Sequence, residues 1–597
     1  MYSIFDKNQI RPQGWLKRQL QIQAAGLSGH LDKIWPDVRD SAWIGGSRDG
    51  WERVPYWLDG FIPLAYLLED EDLIARAQRY IDAILDRQQD DGWICPCSLD
   101  ERSTYDLWAY FLICKVLALY CQLTGSSRAE TALYRAMKHL STMDFTLFDW
   151  GKSRWFEALI PLLYLKERYH EEWIPQLGLE LRRQGLDWPS LTERWKTPIN
   201  QWTHETHIVN LGMMLKTEAM TSALLDEPYT GIPEKLWKVL EKYNGTPAGI
   251  FTGDECLSGR SPIQGTELCH VVELMYSCQW LYSVTGDRIW ADRLEKAAFN
   301  ALPATFTDDM WTHQYVQMSN QIACQEFPGR SLFRTNNSQA HLFGLEPHFG
   351  CCTANFNQGW PKLAMNAFLH SEKGILCALM LPATLHTTWN DVPVTVTMET
   401  EYPFRLSCKY TVTVDAPVQM ELKIRIPGWA KEAASGDYII DKTWSGTESF
   451  TLELTDTPHL KSTTHGLRTA EYGPLIFSLP IQAQYISREY EKNGVERRFP
   501  YCDYELIPQT PWNYGFAGTE LTITEKAGDD IPFSSVHPRV TLQASLSPIR
   551  WGYEDGFLTV ASKYPQSKKA LAEPTTMELI PYGCAKLRMT EMPMVSK

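Results

Sequence analysis

Glu267 and Cys269 stand two residues apart in GDECLSGRSPIQGTELC, and Cys351 and Cys352 stand side by side in HFGCCTANFNQGWP. Thiolate sulfur is a soft ligand and carboxylate oxygen a hard one. Together these four side chains form a donor set suited to four-coordinate zinc. Residues two apart on a regular helix face different ways, so Glu267 and Cys269 converge only where a helix begins. Thr266 is the expected N-cap, with Gly265 relaxing the backbone before it. A helix start also favours anionic groups. The vicinal cysteines need an irregular loop to aim both sulfurs at one point, and Gly350 supplies that freedom. The plainer reading of a Cys-Cys dipeptide is two small buried hydrophobes. Cys95 and Cys97 in WICPCS also invite a metal, but no second cluster accompanies them.

Hydrolysis of a glycosidic bond needs a general acid and a base or nucleophile. Asp254 and Glu255 lie in a Gly-flanked segment about twelve residues before Glu267, and the pair is an acid/base candidate or plain solvated loop carboxylates. His204 and His207 in THETHIVN open an otherwise apolar helical stretch, where either can hydrogen-bond a sugar hydroxyl or serve as a cap. Of the 23 Trp, 18 precede residue 378. Flat rings stack on sugar faces, although large rings also simply fill cores.

The elements that must position these residues change character near residue 378. Before it, helix-period segments recur: VPYWLDGFIPLAYLLED from Val54, YDLWAYFLICKVLALYCQLTG from Tyr105 and ELCHVVELMYSCQWLYSVTG from Glu267. Several end at Gly, as at Gly125 and Gly286, where a left-handed C-cap is expected. About a dozen such helices, some almost wholly apolar and without a fixed repeat, predict two concentric helical rings, an (α/α)6 barrel. After it the period is two. VPVTVTMET, KYTVTVDA, QMELKIRIPGW and SFTLELT alternate apolar and polar residues, which predicts a β-sandwich. The expected division is a catalytic barrel over 1–378 and one or more β-sandwich domains over 379–597.

Composition narrows the partners. The formal net charge of −15 argues against nucleic acid and against an anionic membrane surface. No apolar run approaches the roughly 20 residues of a membrane helix. The N-terminus lacks the features of a secretory signal, and the 14 Cys are not packed as in a small disulfide scaffold, so a reducing cytoplasm is expected.

The combination E-x-C, then C-C-x-x-N some eighty residues later, in a helical barrel followed by β-sandwich, resembles glycoside hydrolase family 127, the β-L-arabinofuranosidases. The resemblance implies zinc held by Glu267, Cys269, Cys351 and Cys352, with Cys351 as nucleophile and Glu255 as acid/base. It further implies that His207, Glu295 in LEKAAFN and Tyr315 in HQYV bind the sugar. Where the family has His-rich contacts nearer the N-terminus, this chain offers Trp57, Asp59, Tyr105 and Asp106. The activity implied is a retaining, exo-acting hydrolase of plant oligosaccharides or glycan fragments, with a homodimer as the assembly. The alternatives are a metal-free (α/α)6 lyase, epimerase or unsaturated-uronyl hydrolase, and a non-catalytic carbohydrate-binding protein.

Overall fold

The computed structural model describes residues 1–327 and 331–596. Its helical part is built from α1 (Gly14–Ala25), α2 (Arg53–Leu68), α3 (Glu71–Leu85), α4 (Trp108–Thr124), α5 (Ser127–Thr142), α6 (Leu159–Tyr169), α7 (Trp173–Gln184), α8 (Ile208–Met214), α9 (Thr217–Leu225), α10 (Ile232–Asn244), α11 (Leu268–Thr285), α12 (Arg288–Lys296), α13 (Cys351–Asn355) and α14 (Gly359–Met365). Two sequence patterns sort them. In α2, α4 and α11 nearly every position is buried, as the all-round apolar segments require. In α3 the buried residues Leu73, Ala77, Tyr80, Ile81 and Ile84 form one stripe at three and four spacing, so that helix faces water on its other side. Packing follows this division. The neighbours α2, α4, α6, α9, α11 and α14 close a ring, and α1, α3, α5, α7, α10 and α12 alternate with them along the chain as the outer layer. This is the (α/α)6 barrel. Its turns are fixed locally: Asp70 and Ser126 cap α3 and α5 through the amides of Leu73 and Ala129, and Gly125 and Gly286 take the expected left-handed C-cap.

The β part holds two large sheets. The first contains β1 (Ser3–Ile4), β2 (Ile10–Pro12), β3 (Phe368–Ser371), β4 (Gly374–Cys377), β5 (Ala383–Trp389), β6 (Val392–Thr400), β7 (Ser407–Ile424) and β8 (Tyr438–Glu453), in the order β1-β3-β4-β7-β6-β5-β2 with β8 along the other edge of β7. The segments KYTVTVDA and QMELKIRI, separate in pattern, are one strand interrupted by a register shift between Val414 and Val418. The shift keeps the apolar sets Cys408, Tyr410, Val412, Val414 and Val418, Met420, Leu422, Ile424 all buried. The sheet recruits strands from both sides of residue 378, including two from the N-terminus. The second sheet has the order β9-β10-β11-β14-β13-β12, with β9 (His459–Ser462), β10 (Leu467–Tyr472), β11 (Leu475–Pro480), β12 (Tyr514–Glu525), β13 (Val540–Pro548) and β14 (Thr575–Pro581). Among the described residues no helix is long and apolar enough to cross a membrane.

Candidate metal centre and active site

Glu267, Cys269, Cys351 and Cys352 meet at one place, with one ligand atom from each lying within 4.8 Å of the others. The local backbone differs from the expectation by one residue. Thr266 and Glu267 pair with Gln317 and Val316 as a short ladder, and Glu267, not Thr266, is the N-cap of α11, with extended dihedrals (φ −67°, ψ 137°). Glu267 therefore lies outside the helix, and this is why it and Cys269 can face one point. Gly265 is required by space: a Cβ there would sit 1.8 Å from Val316 Cγ1. The vicinal cysteines are likewise not in an irregular loop. They open α13, and Gly350 before them is in the helical region while packing too close to Trp35 for any Cβ.

The distances suit a metal. Glu267 Oε1 lies 3.9 Å from Cys351 Sγ and 3.8 Å from Cys352 Sγ. A tetrahedron with metal–sulfur bonds of about 2.3 Å and metal–oxygen bonds of about 2.0–2.2 Å has sulfur–oxygen edges of about 3.5–3.7 Å, a little shorter than these. Glu267 Oε2 is buried with no hydrogen-bond partner. The electrostatics point the same way. Hydrogen bonds from Cys269 and Cys352 hold the Cys351 thiol well below its ordinary value, aided by Arg53 and Tyr315. Burial pushes Cys269, Cys352 and Glu267 well above theirs. Protein groups alone thus support one thiolate, and a divalent cation is the group that would ionise the remaining donors. Four soft and hard donors at these separations, three of them buried, fit such a cation.

Beside the cluster, Tyr315 Oη lies 2.6 Å from Glu255 Oε1, 3.0 Å from Glu267 Oε1 and 3.0 Å from Cys351 Sγ. Glu255 Oε2 accepts from Trp202 Nε1 at 3.1 Å and lies 3.2 Å from His207 Nε2, which is also 3.5 Å from Glu267 Oε2. Asn336 Nδ2 reaches Glu255 Oε1 at 3.4 Å. Asp254 faces away from Glu255's partners. Its carboxylate is bound by Ser258 and by the amides of Arg334 and Thr335, which fixes the loop that presents Glu255.

Glu295 is the expected site residue that the structure places elsewhere. It is fully buried on α12, where its carboxylate accepts from Arg425, the residue after β7, and from Tyr402 Oη at 2.7 Å. A buried carboxylate needs such a partner, and here the partners flank β7 of the first sheet. Cys95 and Cys97 join no metal-binding group among the described residues. Trp57 is core, donating to Ser28 O; Tyr105 donates to Gly50 O; Asp106 caps the amides of Trp108, Trp150 and Gly151. Asp59 is locked in a buried ion pair with Lys362. His204 packs edge-on against Trp150 and Trp202 without reaching Glu255. Sequence reasoning missed Trp202, Asn336 and Arg53. Trp202 stands two residues before His204 and was open to discovery as part of an aromatic–His segment; Asn336 and Arg53 carry no local signal.

Residues 374–454 match the family model described as Beta-L-arabinofuranosidase, GH127 middle domain. A GH127 beta-L-arabinofuranosidase from Geobacillus Stearothermophilus T6 superposes with a TM-score of 0.69 at 16% identity, covering 100% of this chain and 99% of that one. The chain thus has the fold of that structure, and its residues 374–454 match the middle-domain model. A further solved structure, described as a GH127 beta-arabinofuranosidase, gives a TM-score of 0.68 at 12% identity over 99% of this chain and 98% of its own. The sequence finds no match among curated proteins. The shared fold spans the whole chain, and the matched segment 374–454 holds five of the eight strands of the first sheet, β4 to β8.

Proposed function

We propose that this protein is a retaining, exo-acting β-L-arabinofuranosidase of plant-type glycans, with Cys351 as nucleophile, Glu255 as acid/base and zinc held by Glu267, Cys269, Cys351 and Cys352. One observation carries the reading. Tyr315 Oη touches both Glu255 Oε1, at 2.6 Å, and Cys351 Sγ, at 3.0 Å, so the two reacting atoms are no farther apart than the sum, 5.6 Å. Retaining enzymes hold their two catalytic groups about 5–5.5 Å apart, whereas inverting ones leave about 6.5–9.5 Å for a water. The middle-domain match and the whole-chain fold support the same family of reactions.

Cys351 is the most exposed of the four donors, and the other three are buried. Its sulfur attacks the anomeric carbon as the glycosidic C–O bond breaks, and Glu255 delivers a proton to the departing oxygen. In the second step Glu255 takes a proton from water, the water oxygen bonds the anomeric carbon, and the C–S bond breaks to return the Cys351 thiolate. Zinc, when bound, supplies thiolate character to its sulfur ligands and lowers their basicity. Trp202 and His207 orient Glu255 through its Oε2, leaving Oε1 toward Tyr315 and the sulfur. His207 and Tyr315 are also the sugar-binding candidates. We assign these steps to the barrel, residues 1–378, with 379–597 in support.

The test is elemental analysis of untagged protein and turnover of an aryl β-L-arabinofuranoside, with the product anomer followed by NMR. One zinc per chain, retained configuration and no turnover by a folded Cys351→Ser variant are expected. Inverted product, or a Cys351→Ser variant with near-parental activity, refutes the nucleophile.

A further inference from the structure

Beneath the Cys/Glu cluster six charged side chains lie inside the barrel, each at most 4% exposed: Asp59, Lys115, Glu157, Lys216, Glu273 and Lys362. Their placement follows the inner ring. Asp59 is on α2, Lys115 on α4, Glu157 in the turn leading into α6, Lys216 at the N-cap of α9, Glu273 on α11 and Lys362 on α14. Read around the ring, the signs alternate and sum to zero. Lys115 Nζ is 3.1 Å from Asp59 and 3.3 Å from Glu157; Glu157 pairs with Lys216; Lys362 Nζ is 2.6 Å from Asp59, so five of the six are joined by ion pairs. Glu273 faces Lys216 and Lys362 electrostatically, and Gln358 bridges it to Lys362 with bonds of 2.9 Å on either side. All three ammonium groups also lie over the Tyr276 ring, at 3.9–5.5 Å from its centroid.

Hydrophobic side chains of similar volume often stabilise a core as well as buried ion pairs do, so a six-membered ring calls for a role beyond stability. The ring has one outlet toward the site. Glu273 Oε1 accepts from Asn355 Nδ2 at 3.2 Å, and Gln358 Nε2 donates to Asn355 Oδ1 at 2.5 Å. Asn355 is the last residue of α13, whose first two residues are Cys351 and Cys352. Three side chains of the segment 351–365 (Asn355, Gln358 and Lys362) are thereby tied to the ring. Glu273 itself follows Cys269 by one helical turn on α11.

We infer that the ring of six buried charges is the positioning device of the metal centre: through Glu273 and Asn355 it sets the pose of α13 against α11, and so the separation of Cys351 and Cys352 from Cys269. Glu273 and Asn355 are positioning residues; neither touches the cluster. This rests on reading the cluster as a metal centre.

The experiment uses the full chain loaded with cobalt(II), whose visible bands report four-coordinate thiolate ligation, with affinity measured by chelator competition. Asn355→Leu keeps all six charges and should melt near the parent's temperature, yet bind cobalt about 10- to 100-fold more weakly with altered bands, as loss of an outer-shell partner does. Glu273→Gln should weaken binding and also lower the melting temperature. Glu273→Gln with Lys362→Met restores neutrality and should recover the melting temperature without recovering affinity. Parental cobalt affinity and spectrum in both Asn355→Leu and Glu273→Gln overturn the inference. If the parent itself binds no cobalt, the metal reading fails, and the positioning claim is decided on metal-free protein by the rate of Cys351 alkylation with iodoacetamide. A several-fold change in the two variants sustains it, and an unchanged rate overturns it.

Discussion

Tyr315→Phe would remove one oxygen from a site where that oxygen touches three atoms to which we assign reacting or ligating roles. The hydroxyl lies 2.6 Å from Glu255 Oε1 and 3.0 Å from both Glu267 Oε1 and Cys351 Sγ. Burial, and then the neighbouring Cys351, Glu255 and Glu267, push its phenol well above the ordinary value, so it stays protonated and donates. It carries a single proton, so one strong donation is lost rather than three. A hydrogen bond to a charged acceptor contributes about 1.5–3 kcal/mol. If that donation organises the acid and the nucleophile in the transition state, kcat falls by about 10- to 150-fold, at about 1.4 kcal/mol per factor of ten. The fold should survive, because the ring remains packed against Phe349 and the metal ligands are untouched. The assay is kcat and KM on an aryl β-L-arabinofuranoside beside metal content and melting temperature. A kcat within about twofold of the parent's would refute the bridging role. So would a loss of activity that tracks loss of metal.

Glu255→Gln should slow a poorly departing alkyl glycoside far more than an activated aryl one; equal losses on both would remove Glu255 as the acid. Burial pushes the Asp254 carboxyl up to about 7. An acid raised in this way keeps its proton in the native state after the unfolded chain has released it. Its contribution is therefore full below about pH 4 and is lost as pH rises toward 7, by on the order of 4 kcal/mol. Calorimetry should show Asp254→Asn gaining on the parent across that window, and a constant difference would contradict it. Burial lowers His270 to about 3 and His313 and His341 to about 4. These bases stay neutral in the fold while the unfolded chain protonates near 6.5, so their contribution is present above 6.5 and is lost as pH falls toward 4. His341→Gln should remove about one proton from the slope of stability against pH in that range, and an unchanged slope would count against it.

Much of the site was legible because its chemistry is carried by residue type. Three cysteines and a glutamate in E-x-C and C-C offered a soft-ligand donor set, which the family resemblance raised above the plainer reading of buried small hydrophobes, and the four side chains do meet at one place. The helical and β parts were legible because burial imposes periods of 3.6 and two. The misreadings were local. Thr266 was expected as the cap, but pairing with Val316–Gln317 pulls the extended backbone one residue further, to Glu267. Glu295 was expected at the sugar, but Arg425, 130 residues away, holds it at the first sheet.

Residue types and periodicity by themselves determined which atoms can ligate, which helices are buried and where the strands alternate, because those depend on neighbours within a few turns. Only the tertiary structure decided that Tyr315 touches Glu255, Glu267 and Cys351, that Trp202 and Asn336 hold Glu255, and that six charges scattered from Asp59 to Lys362 gather inside the barrel. Such contacts depend on loops and helices far apart in sequence coming together. A buried charge is stable only when that meeting brings its partner to it.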